Sequence, residues 1–88
     1  MKVMMNAKPM KTTEAMKAAV LEHLHTLDRY KNLIRAEVVM KTENRGHMAE
    51  IMLHGKKVHL FAKAKAENMY KAIKQAVKKL EIQLARKN

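Results

Sequence analysis

The chain has 88 residues, 48% of them apolar, and sets 19 Lys and Arg against 8 Asp and Glu, a formal charge of +11. That length supports one core burying roughly 60–65% of the unfolded surface, and the apolar share excludes a disordered basic tail. With no Cys there is no disulfide framework or thiolate metal site, and no apolar run approaches the roughly 18 residues of a membrane span.

Lys2 to Met5 reads as a short edge strand, and Asn6 to Pro9 as a loop in which Pro9 holds Lys8 out of helical geometry. The opening residues MKVMMNAKPM lack the apolar core and cleavage site of a signal peptide, so a soluble cytoplasmic protein is expected. Thr12 and Thr13 offer an N-cap with Glu14 in the first turn, and Met16, Val20, Leu24 and Leu27 line one face of a helix running towards Tyr30. Ala36 to Thr42 alternates as a strand. After the turn Glu43-Asn44-Arg45-Gly46, pairing Thr42 with His47 puts His47, Ala49, Ile51 and Leu53 on the same face as Val38 and Met40. Gly55-Lys56 is expected to form the next two-residue turn, pairing Leu53 with Val58, Ile51 with Leu60 and Ala49 with Ala62. From Glu67 to Asn88 no Gly or Pro interrupts a helix whose Met69, Ile73, Ala76, Val77, Leu80 and Leu84 form one apolar stripe.

The order βαβββα, with one apolar sheet face and one apolar stripe on each helix, predicts an α/β (α+β) fold: a two-layer sandwich with both helices on one face of a four-stranded sheet. The opposite sheet face, including Glu37, Val39, Glu50, Met52, His59, Phe61 and Lys63, is mixed and expected to be open.

Charge is unevenly distributed. Residues 1–34 carry +3, residues 35–55 are neutral, and residues 56–88 carry +8. On the last helix Lys71, Lys74 and Lys78 oppose the apolar stripe, with Lys79 and Arg86 on one shoulder; Lys56, Lys57, Lys63 and Lys65 form a second cluster before it. Lysines three and four residues apart repel one another, which points to a polyanionic partner. A membrane is disfavoured because the apolar stripe belongs to the core, leaving Ile82 as the large apolar residue outside it. Tyr30, Phe61 and Tyr70, the only aromatics, make a poor stacking platform for single strands, so structured RNA read through its phosphates fits best. With no Ser, no Cys and a single Asp, the chain lacks the nucleophile and carboxylate pairs of hydrolases, and no enzyme, small-molecule substrate or cofactor is expected. Of the five His, His23 and His25 face different ways on a helix, while His54 and His59 are expected two ladder positions apart on one face; no metal site follows from their spacing.

Three stretches, TTEAMKAAVLEHLHTLDRY, AEVVMKTENRGH and AENMYKAIKQAVKKLEIQLARK, resemble the bacterial ribosome hibernation-promoting factor family in its short form. The resemblance covers nearly the whole chain as a single ribosome-binding domain, 1–88, monomeric off the ribosome. It implies a stationary-phase stress factor that binds the small ribosomal subunit near the decoding A and P sites, blocks messenger and transfer RNA and so inhibits translation, with pairing of inactive ribosomes. The basic residues at family-like positions are Lys8, Arg29, Lys79, Arg86 and Lys87; Lys71, Lys74 and Lys78 depart from the usual pattern and extend the expected ribosomal RNA contact. His23 and Thr26 stand where members usually carry lysines. The alternative is a general double-stranded-RNA-binding module, which shares a three-stranded sheet with helices on one side.

Overall fold

The computed structural model describes residues 1–9, 11–30 and 32–87, without the side chain of Lys87. Its elements are β1 (Lys2–Lys8), α1 (Glu14–His25), β2 (Leu33–Glu43), β3 (Gly46–Gly55), β4 (Val58–Ala66) and α2 (Met69–Lys87). One sheet of order β1-β2-β3-β4 forms, with β1 parallel to β2 and the remaining pairs antiparallel. The expected two-layer βαβββα architecture is the one observed.

Strand alternation decides the core. Ala36, Val38, Met40, Ala49, Ile51, Leu53, Leu60, Ala62 and Ala64 are buried on the inner face, against Met16, Val20 and Leu24 of α1 and Met69, Ile73, Ala76, Val77, Leu80 and Leu84 of α2. Small residues on β4 let α2 approach closely, while the long side chains of β2 and β3 fill the centre. Ile73 and Leu80 are fully buried, so truncating either to Ala removes about 2–5 kcal/mol.

Both helix starts have chemical causes. The Thr13 hydroxyl accepts from the Met16 amide at 3.1 Å, and the Asn68 side-chain oxygen accepts from the Lys71 amide at 2.9 Å, each satisfying a first-turn donor. α1 stops at His25 rather than continuing to Tyr30. Bonds from the Leu27 amide to the Leu24 carbonyl, and from Asp28 to His25, tighten the chain by one residue per turn and still turn Leu27 into the core. β1 is longer than expected, because residues 6 to 8 pair with Val39, Met40 and Lys41 instead of forming a loop. α2 begins two residues later than expected, and Asn88 lies outside the described residues.

The Thr42–His47 register is observed, but the second hairpin differs from the expected one. Its turn residues are Lys56 and Lys57, so Leu53 faces Leu60, Ile51 faces Ala62 and Ala49 faces Ala64. Lys57, not Gly55, takes the positive φ of 63°. Gly55 is required for space: a Cβ there would lie 2.2 Å from the Asn32 carbonyl oxygen, which accepts from the Lys56 amide at 2.9 Å. The shift moves the turn by one residue and keeps every inward side chain inward.

Candidate nucleic-acid interface

The candidate interface is built on α2. Since its stripe from Met69 to Leu84 is held by the sheet, residues half a turn away must face solvent, and Lys71, Lys74, Lys78, Lys79 and Arg86 are all exposed. They divide into two flanks. Lys78 and Lys74 lie one and two turns before Glu81, whose carboxylate lies 2.9 Å from the hydroxyl of Thr26 at the C-terminal end of α1, a hydroxyl it shares with the His23 carbonyl at 2.8 Å, so this flank borders the groove between the helices. Lys79 and Gln83 lie on the other flank, over the free edge of β4. The Lys79 ammonium donates to the Lys63 carbonyl at 2.6 Å, and the Gln83 amide donates to the Phe61 carbonyl at 3.1 Å. These two side chains cover outward-facing carbonyls that would otherwise offer a template for a foreign strand. They also bring Lys79 beside exposed Lys63, one member of the second basic cluster.

The acids are spent elsewhere. On the open sheet face Lys41 pairs with Glu50 at 3.3 Å, Lys65 with Glu43 at 2.7 Å, and Glu37 with both Arg35 at 3.9 Å and His54 at 2.8 Å. Hydrogen bonding from Lys65, and then its charge, holds the Glu43 carboxyl below its ordinary range. Lys71 pairs with Glu67 and lowers that carboxyl in the same way. Lys74, Lys78, Arg86, Lys56, Lys57 and Lys63 make no ion pair among the described residues.

The remaining residues singled out in the sequence fall apart from this face. Lys8 stands opposite Lys41 on the open side of the sheet. Arg29, in the turn after α1, donates to the Tyr30 hydroxyl at 3.2 Å and sits 5.1 Å from that ring's centre. Lys87 lies on the last turn of α2 with its side chain outside the described residues. Sequence reasoning overlooked Asn68, although Asn ahead of a helical pattern is a capping signal; the roles of Gln83 and Thr26 left no local signal. Among the described residues no helix is long and apolar enough to cross a membrane.

A family model described as sigma 54 modulation protein / S30EA ribosomal protein matches residues 3–88. The chain belongs to that family. It is the family of ribosome hibernation-promoting factors that the sequence resembles. The N-terminal domain of Protein Y from Thermus thermophilus superposes with a TM-score of 0.92 at 27% identity, covering 100% of both chains. A ribosomal subunit interface protein from Coxiella burnetii superposes with a TM-score of 0.87 at 18% identity, covering 98% of this chain and 96% of that one, a likeness of fold.

Proposed function

We propose that this family member is a ribosome hibernation factor: it binds the small ribosomal subunit near the decoding A and P sites, excludes messenger and transfer RNA, and silences translation in the cytoplasm under stress. It acts by occupying those sites, without catalysis. Membership in the family supports the ribosome as partner. The observation that carries the site is the distribution of ion pairs: carboxylates pair with Arg35, Lys41 and Lys65 on the open sheet face and with Lys71 at the start of α2, while Lys74, Lys78 and Arg86 have no ion pair among the described residues. Unpaired cations along one helix match the phosphate spacing problem of structured RNA, where each contact releases a condensed counterion. Lys71 joins them by exchanging Glu67 for a phosphate. Lys79 and Arg86 extend the contact along the other flank, with Lys87, Arg29 and Lys8 as further contacts. The protein is monomeric when free, and pairing of inactive ribosomes follows binding.

Co-sedimentation through a sucrose gradient, scored for small subunits, monosomes and paired ribosomes, tests this directly. The protein should travel with small subunits and be displaced by transfer RNA with messenger. Displacement by free duplex RNA, with none by transfer RNA, would instead identify a general duplex-binding module.

A further inference from the structure

The hairpin end of the open sheet face carries a constellation outside the cationic face of α2. His54 and His59 stand directly opposite each other on β3 and β4, not two ladder positions apart as their spacing suggested. The carbonyls of Phe61 and Lys63 point away from β3 towards α2, so alternate β4 residues from His59 onward belong to non-hydrogen-bonded pairs, the class in which facing side chains come closest. Their Nδ1 atoms are 3.3 Å apart, with the rings nearly perpendicular at 75°. Behind them, His54 Nε2 lies 2.8 Å from Glu37 Oε2.

We propose that His54 and His59 form a two-histidine clip for a divalent transition metal of the imidazole-preferring class, such as Zn²⁺ or Cu²⁺, with Glu37 as the positioning carboxylate. The bite fits: two nitrogens 3.3 Å apart, each about 2.0–2.1 Å from a metal, subtend about 104–111° at the ion, close to the tetrahedral angle. The tautomers fit as well. A carboxylate at Nε2 places a His54 proton on that nitrogen, which in the neutral imidazole leaves the Nδ1 lone pair facing His59. Without metal, His59 Nδ1–H donates to that lone pair. Metal binding replaces this proton, which passes to solvent while His59 takes up its neutral Nε2–H form at its exposed edge. A carboxylate hydrogen-bonded to the far nitrogen of a ligating imidazole is the arrangement that fixes ring orientation in metal sites and raises ligand basicity.

The surroundings set the character of the site. His54 is half-buried, with its side chain 24% exposed, so the clip is anchored on one side and open on the other. Arg35 and Lys2 continue the same row across β2 and β1, opposing the ion's charge while Glu37 offsets them. No group of three or more potential ligands forms among the described residues, so two or more coordination positions stay open to water. Those cations favour an anionic fourth ligand, a carboxylate or phosphate oxygen.

The untagged full chain should be titrated with Cu²⁺ under electron paramagnetic resonance and with Zn²⁺ by calorimetry. One equivalent bound, with hyperfine structure from two nitrogens, is expected. His59→Gln, at an exposed position, should weaken binding at least tenfold with an unchanged thermal melt. Glu37→Gln should weaken it about 10- to 100-fold, while Glu50→Gln, which removes a carboxylate two rows from the clip on the same face, should leave it within about twofold. Binding undiminished in His59→Gln overturns the assignment. So does binding lost in His25→Gln, because His25 Nδ1 and Asp28 Oδ2 form the competing pair at 2.7 Å.

Discussion

The sharpest test of the α2 interface removes two of its unpaired cations together. Lys74 and Lys78 are exposed, make no ion pair among the described residues, and share the flank bordering the groove between the helices. Replacing both with Gln keeps helix propensity and the buried stripe, so the fold should persist. If each contacts one phosphate, their loss lowers the slope of log K against log salt by about 1.4–1.8, from the 0.7–0.9 per phosphate of single and double strands. At 0.1 M salt the same term weakens binding roughly 25- to 60-fold, or about 2 kcal/mol. Fluorescently labelled protein titrated with small ribosomal subunits between 50 and 300 mM salt measures both quantities. An unchanged slope, with intact circular dichroism, would remove this flank from the interface. A weakened affinity at constant slope would mean that the lysines act through contacts other than phosphates.

Gly55→Ala should lower stability by about 3 kcal/mol or more, read as a fall in Tm, because its Cβ would meet the Asn32 carbonyl at 2.2 Å. A Tm within a degree of the parent would show that the two segments can separate freely. Thr13→Ala removes the hydroxyl bonded to the Met16 amide and should cost about 1 kcal/mol, a Tm shift of about 4–8 °C in a chain of this size. Acid should also destabilise the fold through Glu43 and Glu67. Both carboxyls are depressed below their ordinary 4.5, so their contribution is complete above that pH and fades as pH falls through the lower folded values. Lys65→Gln should flatten that acid limb in a melt series from pH 6 to 2; an identical limb would remove the Glu43 pair from the explanation.

How much of this was readable in the sequence depends on how local each cause is. The Thr42–His47 register follows from alternation on both sides of one short turn, and the α2 stripe from six apolar residues at helical spacing. Gly55 illustrates the opposite case. As a Gly beside Lys56 it suggests a turn residue chosen for its torsion angles, whereas its role is to admit a backbone segment 23 positions earlier in the chain. Lys8 was misplaced for a related reason. Once β1 runs to Lys8 instead of Met5, strand parity puts it on the open face, and only pairing with β2 decides where the strand ends. The flanks of α2 are likewise tertiary: Glu81 and Lys79 look alike as surface charges until Thr26 and the Lys63 carbonyl identify which neighbour each one meets.

That division explains why the charge on α2 is tolerated in the free protein. The helix closes the core through one stripe and seals the edge of β4 through Lys79 and Gln83, so its tertiary contacts hold it helical despite repulsion. Lysines at 71, 74 and 78 still repel by a few tenths of a kcal/mol per neighbouring pair, relieved at one end by Glu67. A polyanion on this face replaces repulsion with attraction without asking α2 to move. Because only the folded chain presents the cations in one row, such a ligand also raises the stability of the fold. For a polyanion bound as proposed, the cationic row is therefore a preorganised surface whose electrostatic cost is carried before binding and recovered upon it.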